Sequence, residues 1–123
     1  MPTKKEVTRI LVIEDEGDIC LLLELLLADR KKVIDHVHTL TDAKEFIERE
    51  QPTLVLLDNR LPDGLGIDFI GHLKQEYPQI KIIMITGVDG MAEDAVLATG
   101  ADRFISKPFT QAQLQASVDQ VLN

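Results

Sequence analysis

Ile10-Leu11-Val12-Ile13-Glu14-Asp15-Glu16 is the most informative segment of the chain: four apolar residues, three of them β-branched, stop abruptly at three acids. A short continuous apolar run is what a strand covered on both faces looks like, as in a parallel sheet held between helices. Leu54-Val55-Leu56-Leu57 repeats the form and stops at Asp58. Ile82-Ile83-Met84-Ile85 repeats it again and stops at Thr86-Gly87. Two weaker strands are expected, Lys32 to Val37 and Arg103 to Ser106. Helical spacing fills the gaps, with apolar positions at Ile19, Leu22, Leu23 and Leu26, then Ala43, Phe46 and Ile47, then Phe69, Ile70, Leu73 and Tyr77, and last Leu114, Val118, Val121 and Leu122. A shorter helix is expected from Met91 to Ala98, ending at Gly100 as a left-handed cap. Thr110 and Gln113 have the spacing of a capping box, and Pro52 and Pro78 fall where helices must stop before strands.

Strand and helix thus alternate five times, which predicts an α/β fold. The specific expectation is a flavodoxin-like three-layer (βα)5 arrangement with a central five-stranded parallel sheet, strand order 2-1-3-4-5 and right-handed crossovers. The 123 residues suit a single domain over 1–123, with no linker, repeat or effector domain expected in this chain. Composition is globular, at 45% hydrophobic and 28% charged. The lone Cys20 forms no internal disulfide and points to a reducing compartment. Met1-Pro2-Thr3-Lys4-Lys5-Glu6 leads to no signal-peptide apolar region, and the greasiest stretch, Ile19 to Leu27, carries Glu24 and is too short for a membrane span. A soluble cytoplasmic protein is expected. The net charge of −8, from 21 acidic and 13 basic residues, argues against direct nucleic-acid binding, which needs Lys and Arg, and favours a cation or a basic partner.

In such a sheet, ligands bind beyond the carboxyl ends of the strands. Those ends carry Glu14 and Asp15, Asp58, Thr86 and Lys107. Three crowded carboxylates repel one another and are relieved by a cation. Hard oxygen donors on loops suit Mg²⁺. Lys107 is then a point charge for a phosphoryl oxygen and Thr86 a hydrogen-bonding hydroxyl. Aspartate forms acyl phosphates, and Asp58 is the best-placed nucleophile. A dinucleotide loop or a Walker loop would need glycines after the first strand, where Glu14-Asp15-Glu16-Gly17-Asp18 stands instead.

With those residues identified, the chain resembles the receiver domain of bacterial two-component response regulators, whose stand-alone type is the chemotaxis regulator. The resemblance rests on Ile10 to Glu16, Leu57-Asp58-Asn59-Arg60-Leu61-Pro62-Asp63-Gly64, Met84-Ile85-Thr86-Gly87, and Gly100-Ala101-Asp102-Arg103-Phe104-Ile105-Ser106-Lys107-Pro108-Phe109. It implies that Asp58 accepts a phosphoryl group from a sensor kinase histidine or a phosphotransfer domain. It also implies that Asp15, with Glu14 beside it, Asp58 and the backbone carbonyl of Arg60 hold Mg²⁺. Thr86 and Lys107 would engage the phosphoryl group, Phe104 would be the aromatic switch, and Lys107-Pro108 a cis peptide. Output would pass through the helix 4–strand 5–helix 5 face to a partner or a second copy. Glu14 stands where Asp is commoner, and Gly87 where Ala is more usual. With Gly90 nearby, fast exchange is expected over Gly87 to Met91. Arg60 and Val88 occupy variable positions that help set phosphoryl lifetime in the family.

Two other functions compete: an aspartyl-phosphate hydrolase of haloacid dehalogenase type, and a receiver-like module that no longer accepts phosphate. The hydrolase would want an acid two positions after its nucleophile, where Arg60 stands, and the intact Asp15, Asp58, Thr86 and Lys107 oppose the inert module. Phe104 reads equally as core or switch. Cys20 reads as a buried small hydrophobe. His36 and His38 share one side of an edge strand and read as solvated, as does His72 on the third helix. Leu21 and Leu25 fall opposite the core stripe of the first helix, either as a tolerated exposed pair or as a contact patch for a kinase. Gln111, Gln113, Gln115 and Gln120 make the outer side of the last helix polar but uncharged.

Overall fold

The computed structural model describes residues 7–87 and 92–122. Five parallel strands form the central sheet in the order β2-β1-β3-β6-β7. They are β1 (Thr8–Ile13), β2 (Lys32–Val37), β3 (Leu54–Leu57), β6 (Lys81–Thr86) and β7 (Arg103–Ser106). With the small hairpin described below set aside, this is the expected order 2-1-3-4-5. Helices α1 (Gly17–Leu27), α2 (Leu40–Glu50), α3 (Gly66–Glu76), α4 (Glu93–Ala98) and α5 (Gln111–Leu122) follow the strands in turn.

The apolar runs are continuous because both sheet faces are covered. Leu11, Ile13, Val55, Leu57, Ile82 and Met84 pack with residues of α2, α3 and α4. Ile10, Val12, Leu54, Leu56, Ile83 and Ile85 pack with α1 and α5 on the other face. Strand residues alternate between the two clusters, as the two-residue period requires. The expected capping box of α5 is present: the Thr110 N–H donates to Gln113 Oε1 at 2.9 Å, and the Gln113 N–H donates to Thr110 Oγ1 at 3.1 Å. Gly100 follows α4 at φ +116°, with its N–H on the Leu97 carbonyl.

The structure corrects the reading of α1. Its buried line is Cys20, Leu23 and Leu27, with Ile19 and Leu26 only packed against it, and Leu22, expected inside, is 42% exposed. Apolar residues surround this helix almost completely, so spacing alone did not choose the inward face. Among the described residues α4 runs over Glu93–Ala98, and the expected start at Met91 lies outside them. The exchange expected around Gly90, and the variable position Val88, lie outside the described residues.

A second feature went unread. β4 (Arg60–Leu61) and β5 (Gly64–Leu65) form a small antiparallel hairpin across Pro62-Asp63, a turn-forming pair. Asp63 at its tip caps a different helix. Its Oδ1 accepts the Leu40 N–H at 2.8 Å, and its Oδ2 accepts the Thr41 N–H at 2.9 Å and the Thr41 hydroxyl at 2.8 Å. Thr39 Oγ1 accepts the next N–H, from Asp42, at 3.0 Å. The first turn of α2 is therefore capped partly by its own sequence and partly by the loop after β3. The N–H groups of Leu40 and then Thr41 hold the Asp63 carboxyl below the usual carboxylate range.

A depressed folded-state pKa favours the ionised form, so this contribution is complete above the unfolded value near ~3.9 and is lost as pH falls through the lower folded value. Thermal unfolding of Asp63→Asn should therefore lie below wild type at pH 6, with the gap narrowing as pH falls through 4 towards 3.

Candidate functional site

The carboxyl ends of β1 and β3 are adjacent in the sheet, with Ile13 in register with Leu57. Chain continuity then sets Glu14 and Asp15 beside Asp58. Carboxylate oxygens of Glu14, Asp15 and Asp58 all lie within 4.8 Å of one another. Glu14 is 2% exposed, Asp58 is also buried, and Asp15 is open to solvent. Lys107, at the end of β7, reaches in from the opposite side. Its Nζ lies 2.6 Å from Glu14 Oε1 and 3.5 Å from Asp58 Oδ1. Thr86 ends β6 and is buried, and its carbonyl accepts the Lys107 N–H at 2.8 Å. The Lys107–Pro108 peptide is cis, as expected. Acids following β1 and β3 and the lysine following β7 are thus gathered at the carboxyl end of the sheet, where β6 ends in Thr86.

The electrostatics follow from crowding. Burial, and next the hydrogen bond with Asp58, push the Glu14 carboxyl up to about 7, while the bond to Lys107 acts the other way. Burial works against the Lys107 ammonium, but its bond to Glu14 and the charges of Asp58, Glu14 and Glu16 outweigh that and raise it above the ordinary lysine value. The Glu14 side chain is doubly engaged, since Oε2 also accepts the Asp15 N–H at 3.1 Å. Its carbonyl accepts Cys20 Sγ at 3.3 Å and lies 2.9 Å from His38 Nδ1. Burial and then the neighbouring acids push the Cys20 thiol up to about 11, which keeps it protonated and fits a small core residue.

Three carboxylates with no other ligand type in the cluster form an all-oxygen donor set, which fits a hard divalent cation such as Mg²⁺. Arg60 opens β4, two residues after Asp58. Phe104 is half-buried in β7 and packs on the α2–α3–α4 side of the sheet. It also lines an open groove of about 600 Å³ with Glu93, Ser106, Pro108 and Ser117. His36 and His38 are exposed, with ring centres 5.6 Å apart, and His72 is exposed and stacked on Phe69. Sequence reasoning missed the contact of His38 with the Glu14 carbonyl and the part played by Asn59. The His38 contact follows from how the loops after β1 and β2 meet, whereas Asn59 directly follows Asp58 and makes its hydrogen bonds within the segment from β3 to α3.

The comparisons with known proteins agree with this geometry. The sequence matches the response regulator receiver domain family over residues 10–119, and the chain belongs to that family. It is 38% identical over 118 residues to the phosphate regulon transcriptional regulatory protein PhoB of Escherichia coli, covering 93% of this chain and 51% of PhoB. It is 35% identical over 116 residues to the response regulator protein PilR of Pseudomonas aeruginosa, covering 93% of this chain and 26% of PilR. The chain therefore spans about half or less of these relatives. Among solved structures, the receiver domain of NtrX from Brucella abortus superimposes with a TM-score of 0.85 at 28% identity, covering 92% of this chain and 97% of that one. The protein is a receiver domain of the two-component signalling type, and neither the dehalogenase-type hydrolase nor the inert module has support in these likenesses. No helix among the described residues is long and apolar enough to cross a membrane.

A cation bound by the folded cluster and not by the unfolded chain should stabilise the domain. Mg²⁺ at a hundred times its dissociation constant should add about 2.7 kcal/mol, read as a rise in Tm. Asp15→Asn should lose most of that rise at the same concentration while unfolding no earlier than wild type in chelator.

Proposed function

We propose that Asp58 is the phosphoacceptor of this receiver domain, taking a phosphoryl group from the phosphohistidine of a sensor kinase or phosphotransfer domain. The supporting observation is a buried aspartate at a strand end with two further acids on one side and Lys107 on the other. An Asp58 carboxylate oxygen forms a bond to phosphorus as the P–N bond breaks. The electron pair returns to the imidazole nitrogen, which takes a proton. Asp15, Asp58 and the Arg60 carbonyl, backed by Glu14, are the groups that would hold Mg²⁺, which when bound neutralises charge on the transferring group.

Lys107 leaves Glu14 for a phosphoryl oxygen, and the Thr86 hydroxyl donates to another. Phe104 follows Thr86, which changes the surface of α4, β7 and α5 that an output partner or a second copy would meet. Water later hydrolyses the acyl phosphate and regenerates the carboxylate. The domain is a substrate and switch, not a turnover enzyme. A cytoplasmic setting suits these partners, and the net charge of −8 argues against DNA contacts by this domain. The kinase-facing surface includes α1, where Leu21 and Leu25 are 56% and 67% exposed beside the acidic loop.

Incubation with Mg²⁺ and acetyl phosphate should add one phosphoryl group per chain by intact mass, and Asp58→Asn should remove it. Multiple turnover would favour a hydrolase, and an unlabelled wild type would overturn the assignment. Replacing Leu21 and Leu25 together by Ser should slow transfer from the cognate kinase at least about fivefold while sparing acetyl phosphate, because only the protein donor buries that patch. Equal rates with both donors would remove the role of the patch.

A further inference from the structure

We propose that Asn59 is a positioning residue for the phosphoryl-accepting carboxylate, an inference that rests on Asp58 being the phosphoacceptor. Asn59 is buried directly after Asp58 and makes three hydrogen bonds that together form a bracket. Its backbone N–H donates to Asp58 Oδ1 at 2.9 Å. Its backbone carbonyl accepts the Gly66 N–H at 2.7 Å. Its side-chain Oδ1 accepts the Ile67 N–H at 3.0 Å.

The second and third bonds go to the first two residues of α3, whose own N-cap, Leu65, offers no side-chain acceptor. Asn59 therefore caps α3 from outside the helix, doing with two carbonyl oxygens what an N-cap residue does with one. The helix in turn presses on the site. A Cβ at Gly66 would lie well inside van der Waals contact with the Asp58 carbonyl oxygen, so α3 begins in direct contact with the Asp58 backbone. Residue 59 is thus pinned on its α3 side, and the N–H it directs at Asp58 cannot swing without breaking the cap.

The consequence falls on carboxylate rotation. Oδ1 meets the Asn59 N–H at 2.9 Å and Lys107 Nζ at 3.5 Å, so these two donors favour one orientation of the group. The other oxygen, Oδ2, is then the one presented to an incoming phosphorus. Transfer between an aspartate and a phosphohistidine asks for little covalent chemistry from the protein and depends chiefly on such alignment.

The test uses the whole chain at saturating Mg²⁺, with acetyl phosphate as donor. Asn59→Ala should lower the maximal phosphorylation rate about three- to tenfold with the donor half-saturation concentration little changed. Asn59→Ser, which keeps a neutral oxygen acceptor, should recover part of the rate. Ile47→Val, a core change on α2, serves as a variant that lowers Tm away from the site. A wild-type rate in Asn59→Ala, a Ser variant no faster than Ala, or an equal slowing in Ile47→Val would each overturn the proposal. A wild type that takes no label would overturn the phosphoacceptor reading itself, and this inference with it.

Discussion

Three carboxylates and one ammonium share a single small volume at the carboxyl end of the sheet, and much of the structure serves to keep them there. Like charges at such separations repel by several kcal/mol at an interior effective dielectric near ~20, so the acids would separate if their loops were free. They are not free, because Glu14 and Asp58 each directly follow a strand whose final residues are wholly buried, and Asp15 comes one residue after Glu14. β1 and β3 are paired in register up to Ile13 and Leu57, so the sheet's own hydrogen bonds transmit the hydrophobic stabilisation of both cores to the acidic cluster. Lys107 answers part of the excess charge, and its short bond to Glu14 is the direct mark of it. What remains unanswered gives the site its preference for a cation and then for the charged group a cation brings.

Around that cluster lies a layer of contacts that do no chemistry but fix direction. The Glu14 carbonyl is met by Cys20 from α1 and His38 from the segment after β2. The loop after Asp58 is tied twice, by Asn59 to the start of α3 and by Asp63 to the start of α2. Helix starts have unpaired N–H groups that need acceptors, and here those of two helices are met by the loop that leaves Asp58. Folding of α2 and α3 and shaping of the site are therefore coupled through the same short segment, residues 59–66.

Recognition from sequence worked best where burial was extreme. Leu54 to Leu57 admits hardly any other assignment than a strand covered on both faces, and its bounds match the structure residue for residue. It worked least well on α1, where Leu21, Leu22, Leu23, Leu25, Leu26 and Leu27 leave almost no polar face to mark outside from inside. There the choice of Cys20, Leu23 and Leu27 as the inward line comes from how α1 lies on the sheet beside α5. The hairpin at Arg60 to Leu65 had a signal in Pro62-Asp63-Gly64, but two-residue strands are too short to show a period.

The sequence by itself determined the alternation of strands and helices, the layer order they imply, and which residues stand at the strand ends, because strand and helix periods are local properties of the chain. It determined the chemical kinds available, three acids, a hydroxyl and an ammonium, and with them the class of ligand. Only the tertiary structure decided how close those groups come, which oxygen of Glu14 holds Lys107, and that Asn59 faces both Asp58 and α3. The first two are relations between segments far apart in sequence, and the third is a matter of how the short segment from β3 to α3 folds back on itself. Their distances are set by sheet register and by the packing of helices on both faces, and no local pattern carries that information.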